Sequence, residues 1–149
     1  GEHAQWNAHF FYRHGAPHHE HLKGSPASAG LLAKLPLVCI GEHAPEICFS
    51  ALTPGSHILP HTGVSNMRLV AHLPLVLPER CALKVAGIER RWRLDEVLIF
   101  DDTFEHEAWN HSAQTRIILL MDAWHPDLTL AERCALTALV EGIGGFNRG

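Results

Sequence analysis

Apolar residues recur with two different periods along this chain. Over Ser25 to Leu35 the leucines stand at helical spacing, and Ser25 with Pro26 predicts a short helix with a serine N-cap and proline in its first turn. From Ile47 the pattern shortens to strand-like runs. Ile47–Leu52, Met67–Leu77, Cys81–Val85, Ile88–Leu94, Val97–Phe100, Glu105–Trp109 and Thr115–Trp124 read as strands, separated by turn signals such as Pro54-Gly55 and Ala86-Gly87. Pro74 inside the second of these predicts an edge, a bend or a bulge. Trp92 and Leu94 fall on a mostly buried face, Val97–Phe100 reads as a short buried strand, and Asp95-Glu96 as the turn between them. Leu130 to Val140 returns to helix formers at helical spacing, with Gly142 and Gly144-Gly145 expected to stop it. Many short strands between flanking helices predict a mainly β fold, a sandwich or jelly roll. The division is a lead-in and helix over 1–44, a jelly-roll core over 45–126, and a C-terminal helix and tail over 127–149, all one domain of 149 residues.

Composition narrows the function. The hydrophobic share of 46% is that of a globular protein, and a net charge of -4 gives no support for nucleic-acid binding. No apolar run is long enough for a membrane span, and no signal-peptide pattern is present. Cys39, Cys48, Cys81 and Cys134 form no C-x-x-C pair, which fits a reducing compartment. The chain opens on glycine, as an excised domain with a further domain upstream would. Thirteen histidines are unusual. Those near the start, His3, His9, His14, His18, His19 and His21, are expected in a solvated, irregular lead-in anchored by Trp6 and Phe10-Phe11-Tyr12, not in a metal site.

Candidate chemistry comes from alternation along strands. Arg68, Val70 and His72 share one face, opposite the apolar face of Leu69, Ala71 and Leu73. Arg116 lies in line with Ile118, Leu120 and Asp122. A buried guanidinium needs a carboxylate, either an internal one such as Asp101, Asp102 or Glu105, or one on a ligand. His61, in a turn-like segment, and His106, in an acidic one, are the candidates for a metal pair, and two neutral imidazoles suit Fe(II), Zn or Ni. The usual non-haem iron site adds a carboxylate two residues after the first histidine, where this chain has Gly63. Taken by spacing alone, surface or structural histidines are the favoured reading.

Four stretches together resemble the aspartyl/asparaginyl β-hydroxylase family. They are Pro54-Gly55-Ser56-His57 leading to Pro60-His61-Thr62-Gly63; Asn66-x-Arg68-Leu69-x-x-His72-Leu73; Val97 to Glu107 with Trp109; and Trp124-His125-Pro126-Asp127-Leu128-Thr129. The resemblance covers roughly residues 45–133, and more loosely Trp6 to Leu35. It implies a double-stranded β-helix (a cupin-like jelly roll) and an Fe(II)- and 2-oxoglutarate-dependent dioxygenase. Such an enzyme couples oxidative decarboxylation of 2-oxoglutarate by O2 to hydroxylation of an unactivated C–H bond.

The same resemblance implies His61 and His106 as the metal ligands and catalytic centre, with glycine in place of the carboxylate and water completing the vacant position. It implies Ser50 and Arg116 at the distal carboxylate of 2-oxoglutarate, His72 at the cosubstrate's other end, and Arg68 facing an acidic peptide, protein or small-molecule substrate. Asp101, Asp102, Glu105 and Glu107 are candidates for hydrogen bonds around the imidazoles. Val70 departs from the family, whose animal members acting on proteins carry a second arginine there. Two alternatives stand beside this reading: a non-catalytic binding or sensor jelly roll, and an iron halogenase. The expected setting is the cytoplasm of a bacterium.

Overall fold

The computed structural model describes residues 5–146, and His3 lies outside them. Ten strands make two antiparallel sheets: β1 Trp6–Arg13, β2 Ala16–Pro17, β3 Ile47–Leu52, β4 His57–His61, β5 Arg68–Val76, β6 Cys81–Val85, β7 Ile88–Arg90, β8 Leu98–Phe100, β9 His106–Asn110 and β10 Arg116–Trp124. The larger sheet runs β2-β1-β3-β10-β5-β8 and the smaller β4-β9-β6-β7. Helices α1 His19–Gly24 and α2 Pro26–Leu32 precede β3, and α3 Leu130–Phe146 follows β10. This is the expected mainly β sandwich with flanking helices.

Period-two alternation gives each strand of the larger sheet two different tasks. Ala71, Leu119, Met121 and Ile47 face outward and form a core with Phe11 and Leu32, against which Leu22 of α1 and Leu73 also pack. Phe11 has no exposed surface, and burying such a side chain contributes about 1.5–3 kcal/mol. The inward positions of the same strands face the smaller sheet. There Cys81, Leu83, Trp92 and Ala108 form a second core with Ile58, Leu98 and Phe100. The functional residues lie in this space between the sheets.

Several expectations are corrected. The lead-in is not irregular: Trp6–Arg13 is a strand paired with β3, bulged between Phe10 and Tyr12 to turn Phe11 into the core. His9, His21 and His18 stack in sequence, with ring centroids 3.7 and 3.6 Å apart. His61 closes β4 and does not sit in a turn. Leu94, Val97 and Ile99 are exposed, and of their run only Trp92 is buried, because β7 ends at Arg90. Ser25 holds the N-cap position of α2 without a side-chain bond, and α2 ends at Leu32. Helix α3 continues through Gly142 and Gly144. Its start is fixed by Thr129 and Glu132, whose side chains each accept a backbone N–H from the other. At Pro74, the β5–β10 register skips Leu75, so the proline sits beside a bulge.

Candidate active site between the sheets

A cavity of about 300 Å³ opens between the two sheets. It is lined by inward residues of β3, β4, β5, β6, β8, β9 and β10, and all six site residues expected from the sequence face it: Ser50, His61, Arg68, His72, His106 and Arg116. Strand pairing places them. His61 is opposite His106 in the β4–β9 register, Ser50 opposite Ile118 in β3–β10, and His72 opposite Leu120 in β5–β10.

His61 and His106 meet across the smaller sheet with ring centroids 4.1 Å apart. A bulge in β4 between Ile58 and His61 brings this about, by re-aiming the end of the strand into the cavity. Each ring is oriented in the same way: His61 Nδ1 lies 2.8 Å from the Leu59 carbonyl, and His106 Nδ1 lies 3.0 Å from the Phe104 carbonyl. A carbonyl only accepts, so both Nδ1 atoms carry the proton and both Nε2 lone pairs remain free in the neutral rings. Among the described residues no set of three or more His, Cys, Asp or Glu side chains is grouped to hold a metal ion. The donor set here is two imidazoles.

Gly63 lies next to this pair. Its N–H donates to the Asp102 carbonyl at 2.6 Å, and a Cβ at position 63 would collide with the Asp102 carboxylate. The Asp102 side chain therefore takes the space a side chain at 63 would need. Asp102 is buried, and its Oδ1 has no hydrogen-bond partner.

Arg116 starts β10 and is 1% exposed. Its Nε and Nη2 are buried and without hydrogen-bond partners, and no carboxylate among the described residues pairs with it. Burial pushes its pKa down to about 10. The internal ion pair with Asp101, Asp102 or Glu105 is thus not formed. What Arg116 has is the Trp92 ring, 5.0 Å from its guanidinium carbon. Trp92 in turn donates its indole N–H to His72 Nδ1 at 3.2 Å. His72 is buried, and its pKa is pushed down to about 3, by burial first and then by the charges of Arg116 and His106. It is a neutral ring, with its proton on Nε2. Ser50, 2% exposed, accepts the Trp6 indole N–H at 2.9 Å, which leaves its own hydroxyl proton free to donate.

Arg68 is placed otherwise. Its two terminal nitrogens donate to Asp102 Oδ2 and Asp122 Oδ1, each at 3.1 Å. Asp122 also accepts the Glu46 N–H at 2.9 Å. Burial raises the Asp122 pKa to about 6 against the opposing pull of Arg68. Among the other acids, Asp101 caps the turn at Thr103, and Glu107 pairs with His57 and Lys84 away from the imidazoles.

Sequence reasoning assigned no site role to Trp6, Trp92 or Asn110. Trp92 stands out only as the single apolar residue in an arginine run, a weak signal. Asn110 is fully buried, donates to the Leu52 and Gln114 carbonyls at 2.8 Å each, and so fixes the turn that leads into Arg116.

Known proteins resemble this chain in sequence. A family model described as Aspartyl/Asparaginyl beta-hydroxylase matches residues 1–126. A human protein named aspartyl/asparaginyl beta-hydroxylase is 39% identical over 139 residues, which cover 93% of this chain and 18% of that protein. A Rhizobium tropici protein named ornithine lipid ester-linked acyl 2-hydroxylase is 33% identical over 125 residues, covering 82% of this chain and 42% of that one. Among solved structures, the cupin domain of Schizosaccharomyces pombe Cnp3 is 12% identical with a TM-score of 0.46, covering 65% of this chain and 61% of that chain. The chain thus spans less than a fifth of its human relative. The expectation of a bacterial cytoplasmic protein is corrected, since the relatives at 39% identity are human and mouse proteins and the bacterial one is at 33%. No helix among the described residues is long and apolar enough to cross a membrane.

Proposed function

Since this chain belongs to the aspartyl/asparaginyl beta-hydroxylase family, we propose that its inter-sheet cavity is the active site of an Fe(II)- and 2-oxoglutarate-dependent dioxygenase that hydroxylates an unactivated C–H bond. The observation that carries this reading is Arg116. A guanidinium buried without a partner is costly. A ligand carboxylate in the cavity beside Arg116 relieves that cost through a charge-assisted, bidentate pair.

The residues present fit both absent groups. His61 and His106 supply two oriented Nε2 donors, the kind of ligand that suits Fe(II). When bound, the metal with 2-oxoglutarate and O2 supplies the oxidising power for C–H hydroxylation, with succinate and carbon dioxide as coproducts. The chain's own part is binding and orientation. Arg116, with its guanidinium carbon over the Trp92 ring, and the free Ser50 hydroxyl proton take the distal carboxylate. Neutral His72 offers its Nε2–H to the cosubstrate without adding a charge beside the histidine pair. The unpartnered Asp102 oxygen can accept a hydrogen bond from water beside Gly63. Ile118, Leu83 and Ala108 line the cavity with apolar surface that limits bulk water.

The relatives' names agree on hydroxylation and differ in substrate: an aspartyl or asparaginyl residue in one, the acyl chain of an ornithine lipid in the other. The test of the reaction class is therefore substrate-independent at first. Succinate release from 2-oxoglutarate should require Fe(II) and O2, and should disappear in His61→Ala and His106→Ala. Succinate formation that persists in both variants would contradict the reading.

A further inference from the structure

We propose that Trp92 is the positioning residue of the cosubstrate site, setting with one indole both the tautomer of His72 and the place of the Arg116 guanidinium; this rests on the hydroxylase reading above. The chain between β7 and β8 crosses from the smaller sheet to the larger one. Over residues 86–97 every side chain is exposed except that of Trp92, which is 4% exposed. The crossing is held by its own local contacts: Arg91 Nε donates to Glu89 Oε1 at 3.1 Å, and the Glu96 N–H donates to the Arg93 carbonyl at 3.3 Å. A single side chain therefore reaches inward from a solvated segment, into the cavity that Arg116 and His72 also line.

The indole meets each of these residues with a different part of its structure. The guanidinium carbon of Arg116 lies over the ring, 5.0 Å from its centroid. A π face attracts a cation without accepting its N–H bonds in the plane of the guanidinium, so it locates Arg116 and leaves Nε and Nη2 unpartnered for a ligand. The indole N–H only donates, so His72 Nδ1, 3.2 Å away, is the acceptor and the ring proton sits on Nε2. Phe100, the other ring against His72 with centroids 5.1 Å apart, offers no polar atom, so Trp92 selects the tautomer. A ring nitrogen that carries its proton has no lone pair for a metal. The same bond thus makes His72 a donor to ligand oxygen and keeps it from acting as a third imidazole ligand through Nε2. Trp92 also packs with Cys81, Leu83 and Ala108. Any large apolar side chain fills that space; the donor and the ring face are needed only for His72 and Arg116.

The test uses Zn(II)-loaded protein, Trp92→Phe, which keeps a ring and removes the N–H, and Trp92→Leu, which removes both. Nitrogen NMR of isotope-labelled histidine rings should show His72 with its proton on Nε2 in the wild type, and Nδ1–H or a mixture of tautomers in Trp92→Phe. Calorimetry should show 2-oxoglutarate bound about tenfold more weakly by Trp92→Phe than by wild type. In a His72→Ala background the same substitution should change binding by no more than about twofold, because its effect passes through His72. Trp92→Leu should bind about threefold more weakly than Trp92→Phe in both backgrounds, through loss of the ring over Arg116. An Nδ1–H tautomer in the wild type, or an equal loss from Trp92→Phe in both backgrounds, would overturn the inference and leave Trp92 as a packing residue. If the Trp92 variants do not fold, the wild-type tautomer decides alone. A wild type that binds no 2-oxoglutarate rejects the hydroxylase reading and this inference together, whereas normal binding with either overturning result rejects this inference alone.

Discussion

Two arginines face the same cavity from neighbouring strands, and their surroundings are opposite. Arg68 begins β5, is held by Asp102 and Asp122, and keeps part of its surface in solvent. Arg116 begins β10, is almost fully buried, and has an indole ring where a carboxylate would be expected. A guanidinium satisfied by the protein is part of the structure. One left unsatisfied in the interior is destabilising by itself and is retained where a ligand completes it. The contrast assigns the Arg116 end of the cavity to an anion from outside, and the Arg68 end to a scaffold that shapes entry.

The histidine pair lines the same cavity, and its removal should have the largest effect. Loss of His61 or His106 is expected to exceed the roughly hundredfold that loss of an outer hydrogen-bond partner costs a metal site, read as Fe(II)-dependent succinate formation. Arg68→Met and Arg116→Met then separate the two ends by stability. Arg68→Met leaves Asp102 and Asp122 facing each other unpaired and should cost about 3 kcal/mol in urea unfolding. Arg116→Met removes an unpaired charge and should be neutral or stabilising by about 1 kcal/mol without ligand. Equal losses in both would erase the distinction.

Much of this was legible in the sequence, though unevenly. The continuous apolar run of β10 and the alternation in β5 are strong signals, because buried strands in the middle of a sheet leave little room for polar residues. β1 escaped notice because it lies towards the edge of the larger sheet, where His9 and Asn7 are tolerated and a bulge breaks the alternation at Phe11. β4 escaped because Pro60 and the bulge resemble a turn. The site residues Ser50, His61, His106 and Arg116 stood out by resemblance, not by period. The partners of Arg68 lie 34 and 54 residues along the chain, the ring beside Arg116 comes from the loop after β7, and only tertiary packing brings them together. The contact of Gly63 with Asp102 is of the same kind. Glycine at 63 reads as an absence in the sequence; in the structure it is the space an aspartate from another loop occupies.

Smaller effects sharpen the comparison. His72 joins the Arg116 end through Trp92. Its folded pKa of about 3 lies below the ordinary 6.5, so its contribution to stability is present above pH 6.5 and is lost as pH falls towards 3. Asp122, at the Arg68 end, has the opposite sign: its raised value favours the fold at low pH, and that contribution is lost as pH rises through about 6. Between about pH 7 and pH 4.5, wild type should therefore lose on the order of 2 kcal/mol relative to His72→Gln, with the Asp122 contribution common to both. Thermal unfolding at the two pH values checks this. Gly63→Ala should cost about 1–2 kcal/mol by forcing the Asp102 carboxylate away from Arg68; an unchanged melting temperature would mean that the contact is not constraining.

The most direct test of the central claim is calorimetric titration of 2-oxoglutarate into Mn(II)-loaded protein, comparing wild type with Arg116→Met under conditions where both are folded. Wild type should bind with one-to-one stoichiometry, and the variant at least about tenfold more weakly, because a charge-assisted pair of about 1.5–3 kcal/mol is missing. Binding of equal strength in both would contradict the assignment of Arg116 to the cosubstrate.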